Sequence, residues 1–231
     1  MSRGPAHGER AGAAGTLALE LLGPPRIFLS GPIELPTRKA LALVAYLAVH
    51  GPVSRLRAGA LLWSERDDAD TRRNLRQELH RIHGTPVGAW IETRGDELAL
   101  REGADIDVVR LRQVAACGRD AEVLAIHRGP LLDELDLKGA EGFNAWLAAE
   151  REELGRLWRA SLLREAANRE REGDFSGAVE LLRRWVDDDP LDEARHREVM
   201  RLLHRAGDRP AAIAQFARCR DLLMRELGVA P

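Results

Sequence analysis

The sequence predicts an α+β front, a winged helix-turn-helix, followed by an all-α rear of tetratricopeptide-like helical repeats. Three observations carry this expectation. Residues 17–35 alternate in short strand-like runs, three helical segments and a hairpin pattern then follow by Leu100, and a Gly-Asp pair recurs in the rear at a spacing of 34 residues. The first 15 residues, MSRGPAHGERAGAAG, are rich in Gly and Ala without an apolar centre. They read as a flexible arm, not a secretion signal. The expected domains are therefore 16–103 and 104–231.

Each element has a local reason. Leu17, Leu19 and Leu21 alternate before Gly23-Pro24-Pro25 breaks the run; Ile27-Phe28-Leu29 and then Ile33 and Leu35 follow around Ser30-Gly31-Pro32. Thr37 is placed to cap a helix carrying Leu41, Val44, Leu47 and Ala48, which ends near His50-Gly51-Pro52. Ser54 caps a shorter helix through Leu61, Leu62 and Trp63. An acidic loop, Glu65 to Asp70, precedes a third helix from about Thr71 to His83, closed by Gly84. Trp90-Ile91-Glu92-Thr93 and Glu97-Leu98-Ala99-Leu100, joined by Arg94-Gly95-Asp96, form a hairpin. Beyond Asp105 no strand pattern is visible. There Gly173-Asp174 matches Gly207-Asp208, and Ala178, Val179 and Leu182 match Ala212, Ile213 and Phe216 at the same offset; Pro190 ends one unit. Helices around Trp146, Leu154, Trp158 and Leu162 extend the stack into a short solenoid.

Composition narrows the function classes. Hydrophobic residues make up 45% and charged residues 31% of the 231, which is globular and too apolar for bulk disorder. The longest apolar run, Ala40 to Val49, is about half of what a spanning helix needs. Two separated cysteines, Cys117 and Cys219, fit a reducing cytoplasm better than a disulfide framework. The net charge of −2 hides an asymmetry: Arg26 to Arg101 holds 12 basic and 9 acidic residues, the remainder from Glu102 21 and 26. A mildly basic front and an acidic rear imply different partners.

The third helix concentrates the basic charge. Thr71, Leu75, Leu79 and Ile82 share the face that packs on the first two helices. Arg73, Gln77 and His80 point the opposite way, flanked by Arg76, Arg81 and Asn74. Arginine forks onto guanine or phosphate oxygens and Gln or Asn pairs with adenine, so this surface suits the major groove of DNA. Arg94 on the hairpin is the candidate for a minor-groove or phosphate contact. Arg55 and Arg57, in the first turn of the second helix, are placed for phosphate.

The stretches RKALALVAYLAVHG (38–51), ALLW (60–63) and RRNLRQELHRIHG (72–84) resemble the winged-helix half of the SARP-type antibiotic-regulator family of bacterial activators. HRGPLLDELDL (127–137), FNAWLAAERE (143–152), DDDPLDEARHREVMRLLHRAGDRPAAIAQF (187–216) and ELGVAP (226–231) resemble that family's bacterial transcriptional activator domain. The resemblance implies a cytoplasmic, nucleoid-associated activator that binds promoter DNA and recruits RNA polymerase. It places the family's reading helix on residues 70–83, so that Arg72, Arg73, Arg76, Gln77, His80 and Arg81 inherit a DNA-facing role, with Arg72 nearer the packed edge and restricted to phosphate. The wing falls on residues 90–100, and the helical rear is the region for self-association.

Other constellations are expected to be inert. His80 and His83 lack a third metal ligand nearby, Asp187-Asp188-Asp189 precedes Pro190 as a solvated turn, and no Ser-His-Asp or Cys-His arrangement carries an elbow or oxyanion loop. No catalytic residue, metal or cofactor is expected, and no GKS or GKT loop supports nucleotide switching. A rival reading is a repeat scaffold for protein partners whose winged helix no longer binds DNA. Such a scaffold should carry apolar or mixed residues where this chain has Arg73, Arg76, Gln77 and His80.

Overall fold

The computed structural model describes residues 15–229; the arm expected over residues 1–15 lies outside them except for Gly15. The chain forms two compact units that are interleaved in sequence: Met1–Gln113 with Ile126–Leu154, and Val114–Ala125 with Gly155–Pro231.

The first unit opens with β1 (Ala18–Glu20), β2 (Arg26–Phe28) and β3 (Pro32–Ile33). These pair antiparallel with Leu19 opposite Ile27 and Ile27 opposite Ile33, which puts the alternating apolar residues on one face. Helix α1 (Arg38–His50) follows, with the Thr37 hydroxyl accepting from the Ala40 N–H at 2.9 Å. Its apolar run is buried continuously from Ala42 to Ala48, so this helix lies inside the unit rather than on its surface. β4 (Val53–Ser54), α2 (Arg55–Leu62) and α3 (Asp68–His83) come next. A 3₁₀ turn (Pro86–Trp90) leads into the hairpin of β5 (Ile91–Arg94) and β6 (Glu97–Leu100).

The structure departs from the sequence reading at three places. Helix α3 starts at Asp68, capped by Asp67, so part of the expected acidic loop is its first turn, where carboxylates favour the positive end of the helix. A short strand does occur beyond Leu100: β7 (Asp105–Ile106) joins the first sheet parallel to β1, giving the order β3-β2-β1-β7. β4 pairs with β6, making the hairpin a three-stranded sheet of order β4-β6-β5.

Residues 126–154 complete this unit. Leu132 N–H donates to the Leu21 carbonyl at 2.7 Å and Gly23 N–H to that of Pro130 at 2.8 Å. Leu132 and Glu134 hold positive φ, and the Arg151 guanidinium satisfies the carbonyls of Leu131 and Leu132 at 2.8 and 2.6 Å. Phe143 and Trp146, on the early turns of α6 (Glu141–Arg171), stack near Tyr46 of α1, with Tyr46 and Trp146 edge to face at 4.8 Å. Asp107, which opens α4 (Asp107–Ala116), accepts from the N–H groups of Leu21 and Leu22.

The second unit contains α5 (Asp120–Ile126), the later part of α6, α7 (Phe175–Asp188), α8 (Glu193–Arg205) and α9 (Arg209–Leu227). Trp158, Leu162, Val179, Leu182, Val199 and Leu202 form its core. Both Gly-Asp pairs sit in inter-helix turns. Gly173 and Gly207 take φ near +80°, and Asp174 and Asp208 accept from the N–H groups of Gly177 and Ala211 as N-caps. His196 is fully buried; its Nε2 donates to the Pro190 carbonyl and its Nδ1 accepts from Gln215, tying α8 to α9.

Candidate nucleic-acid interface

Helix α3 is held by one face. Thr71, Leu75, Leu79 and Ile82 are buried together with Glu78. That carboxylate accepts from the Thr37 hydroxyl and pairs with Arg81 at 2.9 Å, so the cap of α1 and the basic helix share one buried acid. The other face is open: Arg72, Arg73, Arg76, Gln77, His80 and Arg81 are exposed, and Asn74 is half-buried beside them.

These groups differ in what they already hold. Arg73 pairs with Asp70 at 2.7 Å, and Arg72 Nε donates to the Asp68 carbonyl one turn back at 3.0 Å. Among the described residues, the side chains of Arg76, Gln77 and His80 make no hydrogen bond or ion pair. Arg72 is exposed, and it borders the α2 side of the helix beside Leu56 and Leu75. His83 turns its Nδ1 to the Leu79 carbonyl at 2.6 Å, and no group of three metal-ligating side chains occurs among the described residues.

The hairpin and α2 carry the remaining candidates. Arg94 is the last residue of β5 and lies opposite Glu97, one step from the Gly95-Asp96 tip. It is exposed and pairs with Glu92 at 2.7 Å; that hydrogen bond holds the Glu92 carboxyl below its ordinary range. Arg55 N–H donates to the Asp96 carbonyl at 2.8 Å and its guanidinium to the Thr93 hydroxyl at 3.3 Å, which fastens α2 to the hairpin turn. Arg57 is exposed in the same first turn.

Two features were not singled out from the sequence. An open cleft of about 600 Å³ runs between α2, α3 and the hairpin turn, with Leu56 and Leu75 beside Arg55, Arg72 and Arg76. A second of about 440 Å³ at the other edge of α3 brings Lys39, Arg66 and Lys138 near Asn74, Gln77 and Arg81. Lys39 donates to the Leu62 carbonyl at 2.6 Å and lies over the Trp63 ring; burial pushes its pKa down. Lys138 is 99 residues from Lys39 in sequence, and no local pattern announces that proximity.

Residues 97–231 match the family model described as bacterial transcriptional activator domain. The chain belongs to this family, and with it to the SARP-type transcriptional regulators, a class that is generally non-enzymatic. No curated protein matches the chain. Its fold is similar to that of Mycobacterium tuberculosis EmbR, whose structure was solved in complex with a low affinity phosphopeptide. The TM-score is 0.65 at 20% identity over 93% of this chain, which spans 62% of the EmbR chain. No helix among the described residues is long and apolar enough to cross a membrane.

Proposed function

We propose that this chain is a sequence-specific DNA-binding activator of transcription in the bacterial cytoplasm, associated with the nucleoid. In this reading the first unit is a winged helix-turn-helix, and α3 enters the major groove. Arg73, Arg76, Gln77 and His80 face the bases; Arg72, Asn74 and Arg81 grip the groove edges. The hairpin is the wing, with Arg94 at the minor groove, and Arg55 and Arg57 meet phosphate near the α2 N-terminus. The second unit is a tetratricopeptide-like repeat that offers protein contacts, including RNA polymerase. One observation carries the reading: the exposed face of α3 is cationic and amide-bearing along its length, and its central groups are unengaged.

A salt titration of the full chain on duplex DNA tests it. Contact with about four to six phosphates gives a slope of log affinity against log salt near −4 to −5. On a duplex selected by the protein from a random pool, Arg76→Ala should cost about 1–3 kcal/mol while leaving the thermal transition unchanged. Salt-insensitive binding, or normal binding by Arg76→Ala and Arg73→Ala variants, would favour a protein scaffold instead.

A further inference from the structure

The major groove is about 12 Å wide and a helix with its side chains is about 10–12 Å across, so a helix lying in it meets a phosphate backbone along each of its two edges. One edge of α3 has its cations at hand: Arg72 and Arg76 border Arg55 and the hairpin turn. The other edge carries Asn74, Gln77 and Arg81, and of these the one cation, Arg81, is held by Glu78. The cleft of about 440 Å³ beside that edge supplies what the helix lacks. It is lined by Arg66, from the turn between α2 and α3, and by Lys138, from the turn before α6. Both are exposed, and neither side chain makes a hydrogen bond or ion pair among the described residues.

Lys138 stands on a braced turn. Its neighbours Leu137 and Ala140 are buried, and the Leu137 backbone is bonded both ways to Asn144 of α6: its N–H donates to the side-chain oxygen at 3.2 Å and its carbonyl accepts from the side-chain amide at 2.9 Å. The Ser64 hydroxyl donates to the Glu141 carboxylate, which joins the α2–α3 turn to the start of α6. The two free cations are therefore carried by segments fixed to each other at the side of α3. Of the other charged groups lining the cleft, Glu78 is bound by Thr37 and Arg81, and Lys39 by the Leu62 carbonyl, which leaves Arg66 and Lys138 against Glu65 alone. A phosphodiester, acceptor-only and singly charged, suits this set: the Arg66 fork, the Lys138 ammonium and the Asn74 amide all donate. We infer that Lys138 and Arg66 hold the DNA backbone along the edge of the major groove away from the hairpin, an inference that rests on the reading of α3 as the helix in that groove. Lys138 lies within residues 97–231, so the segment that matches the activator domain shares in the grip on DNA.

Fluorescence anisotropy of the full chain on the selected duplex and on a random duplex, from roughly 50 to 200 mM salt, tests this. Lys138→Gln should weaken binding to both duplexes by the same factor and reduce the magnitude of the salt slope by about 0.9, so that its deficit at 50 mM shrinks about 3.5-fold by 200 mM. Arg66→Gln should behave alike, Lys138→Arg should bind as the parent does, and circular dichroism confirms that each variant is folded. A parent chain whose binding ignores salt overturns the reading of α3 and this inference with it. A parent slope near −4 to −5 that is unchanged in either glutamine variant overturns the inference alone. A loss confined to the selected duplex makes the contact one to bases and overturns the assignment to phosphate.

Discussion

Gly88 is the point at which the chain leaves α3 and enters the hairpin, and alanine there should be costly. A Cβ on Gly88 would stand 2.4 Å from His83 Cα, 2.8 Å from the Ile82 carbonyl oxygen and 3.0 Å from the His83 carbonyl carbon. Carbon contacts settle near 3.5–4.0 Å, so about 1 Å of separation has to be found. All three obstacles are backbone, so no rotamer change relieves them; either the last turn of α3 or the 3₁₀ turn must move. Overpacking of a close-packed site costs about 1–3 kcal/mol and more where backbone shifts, while losing a glycine's unfolded freedom returns about 0.4–1 kcal/mol. The expected net is a loss of about 2–3 kcal/mol, or a fall in Tm of roughly 5–12 °C. Gly31→Ala is the internal control, because nothing lies within 4 Å of its added Cβ. That variant should stay within about 0.5 kcal/mol of the parent. Thermal unfolding followed by circular dichroism reads both. Equal transitions for the two variants would refute the claim that α3 and the hairpin are locked by this approach.

Two further outcomes follow from close contacts elsewhere. A Cβ on Gly59 would come within 2.6 Å of the Thr71 methyl where α2 meets α3, so Gly59→Ala alone should destabilise by about 1–3 kcal/mol and Gly59→Ala with Thr71→Ser by less than the sum of the single changes. Strict additivity in urea titrations would show that the two residues do not compete for this space. In the second unit Arg164 binds the nearly buried Asp120 through two nitrogens at 2.7 to 3.1 Å, and that hydrogen bonding holds the Asp120 carboxyl below its ordinary value. A folded pKa below the unfolded one means stability that is present above about pH 4 and lost as pH falls through the folded value. Asp120→Asn should lose about 1–2 kcal/mol at pH 7 and flatten the acid limb of the stability curve; an unchanged acid limb would count against the pair.

Legibility in the sequence tracked how local the cause was. Thr37 and Ser54 cap helices because a cap needs only its own first turn, and these are visible in isolation; the Gly173-Asp174 and Gly207-Asp208 turns are visible as a repeat, and that their Asp side chains are caps came from the structure. The two-residue strands β4 and β7 are not, since their pairing is set by β6 and β1 and they are too short to show a period. The packing of residues 126–154 with the front of the chain depends on backbone bonds such as Leu132 to Leu21, across more than a hundred residues. Helix α9 makes the same point about burial. Ile213 and Phe216 keep the register of Val179 and Leu182 but not their environment, because burial belongs to the neighbour as much as to the residue. In the candidate interface the exposed set was readable from a 100° wheel. The ion pairs that distinguish Arg73 and Arg81 from Arg76, and the approach of Lys138, were not.

That distinction bears on how a basic helix can remain stable without its partner. Four arginines crowded on α3 would repel one another, and the same helix carries three acids that offset them. Glu78 sits beneath with its side chain 4% exposed, while Asp68 and Asp70 lie in the first turn, where they also complement the helix dipole. Arg73 and Arg94 rest on exposed ion pairs, worth at most about 1 kcal/mol each, so a phosphate competes for them at small cost. Arg81 is different, because its acid is buried and also bound by Thr37. Drawing Arg81 away leaves a carboxylate in a poorly solvated place, which opposes its full transfer to an external anion. The physical division of labour is therefore between Arg76, Gln77 and His80, free to adjust to a ligand, and Arg81, anchored to the fold. Under the proposed DNA-binding function, the former should govern discrimination between sequences, and the latter should couple grip on the backbone to the integrity of the α1–α3 contact.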